Sequence, residues 1–210
     1  MISIEVALAF LAASALITLA PGPDNLMVLS VGISRGRLAG IGFGMGCALG
    51  CFTHTLWATL GIGAVVLASG PAFFTLKMAG AAYLVYVGLT TWVGAGKLGV
   101  VALDAGAAEP IGSHVRRGFI ANAINPKVAL FFIAFLPQFA DPSRGAIWSQ
   151  MLLLGTLFAA QTVVIFGALG WSSGTIGARL QRQPGLALWL DRLAAGIFVG
   201  LAVHLAVAGR

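Results

Sequence analysis

Six apolar runs, each long enough to cross a bilayer and set off by short polar breaks, limit what this chain can fold into. They cover residues 4–33, 38–68, 72–94, 117–139, 147–174 and 187–208. A helix rises about 1.5 Å per residue, so a hydrocarbon core takes about 20 apolar residues to cross. Inside that core each backbone N–H and C=O needs a partner within the protein, which leaves helices as the form for runs of this length. The expectation is an all-α integral membrane protein, one transmembrane domain over residues 1–210. Composition agrees: 9% of the residues are charged and 59% hydrophobic, where a soluble domain carries about 25% charged residues.

The breaks carry the orientation signal. Arg35, Arg37, Lys97, Arg116, Arg117, Arg179, Arg182 and Arg192 fall in alternate loops on one side, against Arg144 and Arg210 on the other. By the positive-inside rule the first set is cytoplasmic and both termini lie outside. The net charge of +6 does not gather on one patch, which argues against a nucleic-acid partner. The first apolar stretch reaches "AASA" at residues 12–15 but carries Glu5 and no Lys or Arg before it, so a retained first helix is expected over a cleaved signal. Two cysteines, both in an apolar setting, make no disulfide framework.

Residues 94–117 form the one long polar segment and split the runs into halves of about 1–95 and 116–210, joined by a cytoplasmic loop at 96–115. Three spans per half means that the second half enters the membrane from the opposite side, so any similarity between them is an inverted repeat. The first run is interrupted by "PGPDN" and the fourth by "NPK". Proline removes a backbone donor, and a broken helix at membrane depth is tolerated only where protein or water satisfies the freed groups. Paired breaks in corresponding helices point to a transporter's binding site. The helix-breaking residues are Pro21, Gly22, Pro23 and Pro126, and each motif places a charge after its proline, Asp24 in one and Lys127 in the other. The second and fifth runs each hold one strongly polar residue at a similar depth, His54 and Gln161.

These residues carry a family resemblance. "APGPDNLMVLSVGISRGRLAG", "LKMAGAAYLVYVGL", "NPKVALFFIAFLPQF" and "DRLAAGIFVGL" resemble the LysE/RhtB amino-acid exporters over nearly the whole chain. The resemblance implies a six-span protein of the bacterial inner membrane that expels an amino acid or a close relative, driven by an ion gradient. It carries site roles onto Pro21, Gly22, Pro23, Asp24 and Asn25, and onto Asn125, Pro126 and Lys127.

A zwitterionic amino acid needs an opposite charge or dipole for each end once it leaves water. Asp24 and Lys127 supply such a pair, or else bond to each other and fix the packing of the halves. His54 is the candidate for proton coupling, because imidazole titrates near neutral pH. Asp24, Asn25, His54, Asn125, Lys127 and Gln161 therefore form the expected translocation site, with a proton as coupling ion, the bilayer as surroundings and no cofactor. Glycines 36, 40, 42, 44, 46 and 50 put small residues every four positions on the second run, which favours close helix packing and permits a homodimer.

Two other functions are weighed. Cys47, Cys51 and His54 at i, i+4 and i+7 share a helical face and offer soft ligands, the basis of a metal-cation exporter, although no fourth ligand is evident. "GWSSG" fits G-x-S-x-G around Ser172, but that motif needs a strand before its turn, and no histidine is placed to act as its base. No phosphate-binding glycine motif is present. The expected protein is thus a secondary transporter and not an enzyme.

Overall fold

The computed structural model describes residues 2–68, 70–96 and 109–207. Lys97, Arg210 and most of the expected 96–115 loop lie outside them. Nine α-helices occupy the described residues: α1 (Ile4–Leu19), α2 (Pro23–Arg35), α3 (Arg37–Ala68), α4 (Gly70–Val93), α5 (Ile111–Ala123), α6 (Pro126–Ala134), α7 (Ile147–Trp171), α8 (Ser173–Arg182) and α9 (Pro184–Val207). Short 3-10 turns at Leu136–Phe139 and Pro142–Arg144 lead from α6 to α7. There are no strands among the described residues.

Three helices are long and apolar enough to cross a membrane, Arg37–Gly61, Ile147–Trp171 and Gly185–Val207. Two broken pairs raise the number to five: α1 with α2, bent by 59°, and α5 with α6 and its following turn, bent by 55°. The expected run at 72–94 falls on α4, part of whose side chains lie outside the described residues. Some boundaries differ from the sequence reading. The fourth expected helix begins at Ile111 and not 117, because its polar first turns lie in a groove of α3 glycines. The fifth stops at Trp171, where the Ser172 hydroxyl donates to the Ala168 carbonyl at 2.6 Å and the chain turns into α8.

The surface is apolar. Trp57, Leu60, Val164 and Trp189 are each at least 60% exposed, as expected of side chains that face hydrocarbon. Since lipid is as apolar as leucine, helix association here rests on close packing and on internal polar bonds. Small residues supply the close packing. A Cβ on Gly46 would collide with the Val115 carbonyl, and one on Gly118 with the Phe43 carbonyl, so α3 and α5 meet backbone to backbone. Gly42 and Gly50 face α5 as well, while Gly40 touches Gly32 and Gly170, and Gly44 touches Phe166. The glycine face is thus filled within the protomer. Gly36 is the exception: with φ at +91° it makes the turn between α2 and α3 and packs against nothing.

Phenylalanines of α6 fill the middle of the bundle. Phe131, Phe132 and Phe135 are fully buried against Phe158 of α7 and Phe198 of α9, with Phe132 edge-on to Phe158 at 4.8 Å between ring centres. Helices α3 and α7 pack together, as do α4 and α9. Asp191 of α9 is a buried acid whose partner is the Gly96 N–H, 2.9 Å away, in the turn after α4.

Candidate functional site

The two helix breaks face each other. In the first, Ala20 and Gly22 are extended ahead of Pro21 and Pro23, and Pro23 opens α2. In the second, the Asn125 side chain caps α6 by accepting from the Lys127 N–H at 3.0 Å, with Pro126 at the first helical position. Each break orphans carbonyls that a continuous helix would have used, and the polar side chains of the expected site meet them. Asn25 Nδ2 donates to Thr18 O at 2.8 Å. Lys127 Nζ donates to Ala20 O at 2.9 Å. The carbonyl of Asn122 would have bonded to the nitrogen of residue 126, which is proline; it accepts instead from the Asn125 N–H at 2.8 Å and from the His54 ring, Nε2 to O at 2.8 Å. Facing a carbonyl, that Nε2 carries the proton.

The charges are satisfied by neutral groups. Asp24 is 5% exposed and accepts from Asn122 Nδ2 at 2.7 Å. Lys127 adds to its carbonyl partner the face of the Phe198 ring, 5.0 Å from Nζ to the centroid. Among the described residues the ion pairs are Arg35–Glu109, Arg117–Glu109 and Arg144–Asp141, so Asp24 and Lys127 do not bond directly. Both line one cavity with Thr18, Asn25, Asn122 and Asn125. Its volume is about 20 Å³, room for about one water and not for an amino acid. Two buried atoms at this cavity, Thr18 Oγ1 and Asn122 Oδ1, have no hydrogen-bond partner.

Of the expected site residues, the structure brings Asp24, Asn25, Asn125 and Lys127 together with Gly22 and Pro23. His54 stands behind Asn122 and outside the cavity wall. Gln161 lies apart: turned so that Nε2 donates to Leu11 O and Oε1 accepts from Ala15 N–H, both at 2.9 Å, it ties α7 to α1. Thr18, Asn122 and Thr162 line the cavity and were missed by the sequence reading. Asn122 had a signal, since it stands four residues before Pro126 and shares its carbonyl problem.

The metal reading is corrected. No three His, Cys, Asp or Glu side chains among the described residues gather around a point. Positions i and i+7 share a face but stand two turns, about 10.5 Å, apart along the axis. Cys47 packs among Val28, Phe43 and Phe166, Cys51 bonds back to the Cys47 carbonyl at 3.3 Å, and His54 is engaged by Asn122. Ser172 ends a helix and not a strand, with its hydroxyl committed to Ala168 O.

The LysE type translocator family matches residues 15–209. The chain belongs to that family. Its relatives include an uncharacterized membrane protein of Vibrio cholerae, 33% identical with 98% of each chain covered. A leucine efflux protein of Enterobacter sp. (strain 638) is 29% identical over 90% of each chain. A homoserine/homoserine lactone efflux protein of Salmonella typhimurium is 31% identical over 76% of each. No solved structure matches the chain. The helix breaks and both charged residues lie within the part that matches the LysE type translocators.

Proposed function

We propose that this LysE type translocator exports an amino acid or small amino-acid derivative from the bacterial cytoplasm across the inner membrane, by alternating access and with proton coupling. The observation that carries the reading is the central cavity, where Asp24 and Lys127 lie on opposing helix breaks and are each held by a neutral group. A zwitterion fits that arrangement, its ammonium toward Asp24 and its carboxylate toward Lys127, with the unpartnered Thr18 and Asn122 oxygens as further acceptors. The family membership and the names of the leucine and homoserine efflux relatives support the substrate class. The small volume makes this a closed state, so substrate enters only when the breaks move apart.

Alternating access is proposed to run on six spans arranged as two inverted halves. The packing of α3 against α7 and of α4 against α9 supports that reading. Both termini then face outward. His54 is joined to the site through Asn122, which is the route proposed for coupling to Asp24.

Labelled amino acids offered to everted vesicles test the export. Uptake that depends on a proton gradient and is lost in Asp24→Asn and Lys127→Met is expected; no flux for any member of the panel overturns the reading. Cysteine labelling tests the topology, with residues 109–115 expected at the cytoplasmic face and residue 144 outside. The reverse pattern overturns the orientation.

A further inference from the structure

A second cavity, about 470 Å³, opens between α2, α3 and α5. Its walls are Met27, Val31, Phe43 and Ala121, and its polar groups are Arg35, Arg117 and His114. That volume falls in the range of small-molecule sites. Two of its walls come from α2 and α5, the half-helices that carry Asp24 and Asn122 at the central site. Asp24, Met27, Val31 and Arg35 recur at helical spacing down α2, and Ala121, Arg117 and His114 down α5 from the position next to Asn122. The eleven residues from Asp24 to Arg35 correspond to about 16 Å of rise.

Two observations point to a ligand. Arg35 and Arg117 both bind one carboxylate, that of Glu109: Arg117 holds its two oxygens with Nη1 at 3.1 Å and Nη2 at 3.0 Å, and Arg35 Nη1 reaches Oε1. The forked arginine grip is a carboxylate-recognition geometry. His114, only 3% exposed, lines the cavity with its Nδ1 buried and without a partner.

We infer that this vestibule is a second binding site for the transported amino acid, in which Arg35 and Arg117 take the substrate carboxylate and Glu109 is the built-in competitor that holds their place. His114 Nδ1 accepts a hydrogen bond from the ammonium, and the apolar wall takes an aliphatic side chain. Substrate that displaces Glu109 frees α2 and α5 from each other at the end of the path leading to Asp24. The inference deepens the exporter reading and rests on it for the identity of the ligand.

The test is protection of Arg35 and Arg117 from phenylglyoxal, mapped by peptide mass spectrometry on the full-length protein in neutral-lipid nanodiscs. L-leucine and L-homoserine are the probes, and leucinamide, which lacks the carboxylate, is the control. Protection by the two amino acids and not by the amide is expected. In Glu109→Gln half-protection should fall to concentrations about tenfold lower, the scale set by competition with two part-exposed ion pairs. Glu109→Asp, which keeps the charge, should stay near wild type and guards against a folding defect in the amide variant. Equal protection by leucinamide, protection by anionic lipid alone, or no protection in any form overturns the site. Vesicle flux with no protection removes the vestibule and leaves the exporter standing; protection without flux keeps a carboxylate site and removes the exporter.

Discussion

The central site and the vestibule handle charge in opposite ways. At the centre, Asp24 and Lys127 are held by neutral partners, an asparagine amide and a backbone carbonyl. At the vestibule, Arg35, Arg117 and Glu109 pair with one another, with side chains 21–51% exposed. Exposed pairs are screened, so each contributes little and can open readily. Buried charges held apart keep their fields available to a ligand that carries both signs. The helix dipoles sharpen the contrast between the two central charges. Asp24 sits in the first turn of α2, where the positive helix end favours it. Lys127 sits in the first turn of α6, where the same effect opposes it. Its ammonium instead reaches Ala20, the capping residue at the negative end of α1.

The largest effects are expected where the charges are buried. Lys127→Met should lower efflux by about a hundredfold or more and leave the Ala20 carbonyl unpaired, a stability cost of about 1–3 kcal/mol. Asp24→Asn should also abolish transport, but its amide oxygen still accepts from Asn122, so stability should change by less than about 1 kcal/mol. Because the two groups bond to different partners, the double variant should be near-additive in thermal stability, with coupling under about 1 kcal/mol. A direct buried ion pair would lose about 3–5 kcal/mol on breaking either side. Coupling of that size would show that the charges meet and would break the comparison.

Smaller losses belong to the packing and caps between the two regions. Gly46→Ala puts a methyl onto the Val115 carbonyl and the Phe119 nitrogen. It should cost about 1–3 kcal/mol in a melting or denaturant series, as overpacking does. The Asn122 carbonyl also accepts from the Asn125 N–H at 2.8 Å, so stability should fall by less than about 1 kcal/mol in His54→Gln, which keeps a donor, and by about 0.5–1.5 kcal/mol in His54→Ala, which loses one hydrogen bond. Glutamine does not titrate. Loss of pH-dependent efflux in His54→Gln is the result expected of a coupling histidine, and full retention moves coupling to Asp24.

The helices and the breaks were legible because proline acts locally: a missing N–H and a fixed φ are properties of the residue. Asn125 as a cap could be read the same way. Partners across the fold were not legible. Nothing in the spacing of "PGPDN" and "NPK" says that Lys127 turns to Ala20 or that Asn122 comes between Asp24 and His54, since those contacts depend on how two half-helices bend. Gln161 shows the converse. Its apparent match to His54 in depth suggested the site, yet the glycine-mediated closeness of α3 to α5 has no equal between α7 and α1, and the amide serves to join those two. The vestibule escaped for a further reason: Glu109 lies in a polar segment whose pairing with Arg35, 74 residues away, carries no local signature.

The smallest effect is expected at the vestibule, and pH isolates it. Burial pushes the Glu109 carboxyl up, but the hydrogen bonds and charges of Arg117 and then Arg35 outweigh that and hold it below the usual 4.5. A carboxyl lowered on folding binds protons more readily in the unfolded chain, so its stabilising contribution is complete above 4.5 and fades as the pH falls through the lowered value. Asp141, held below the usual range by its hydrogen bonds to Ser143, fades in the same direction, so the wild-type curve alone does not report on Glu109. The difference in melting temperature between wild type and Glu109→Gln does. It should be small and constant above about pH 5, shrink toward zero in more acidic buffer, and shrink also at neutral pH as salt rises toward 1 M, where the screening length is about 3 Å. A difference as large as that of Lys127→Met, or one indifferent to salt, would make the rim as deeply committed as the centre and erase the contrast between them.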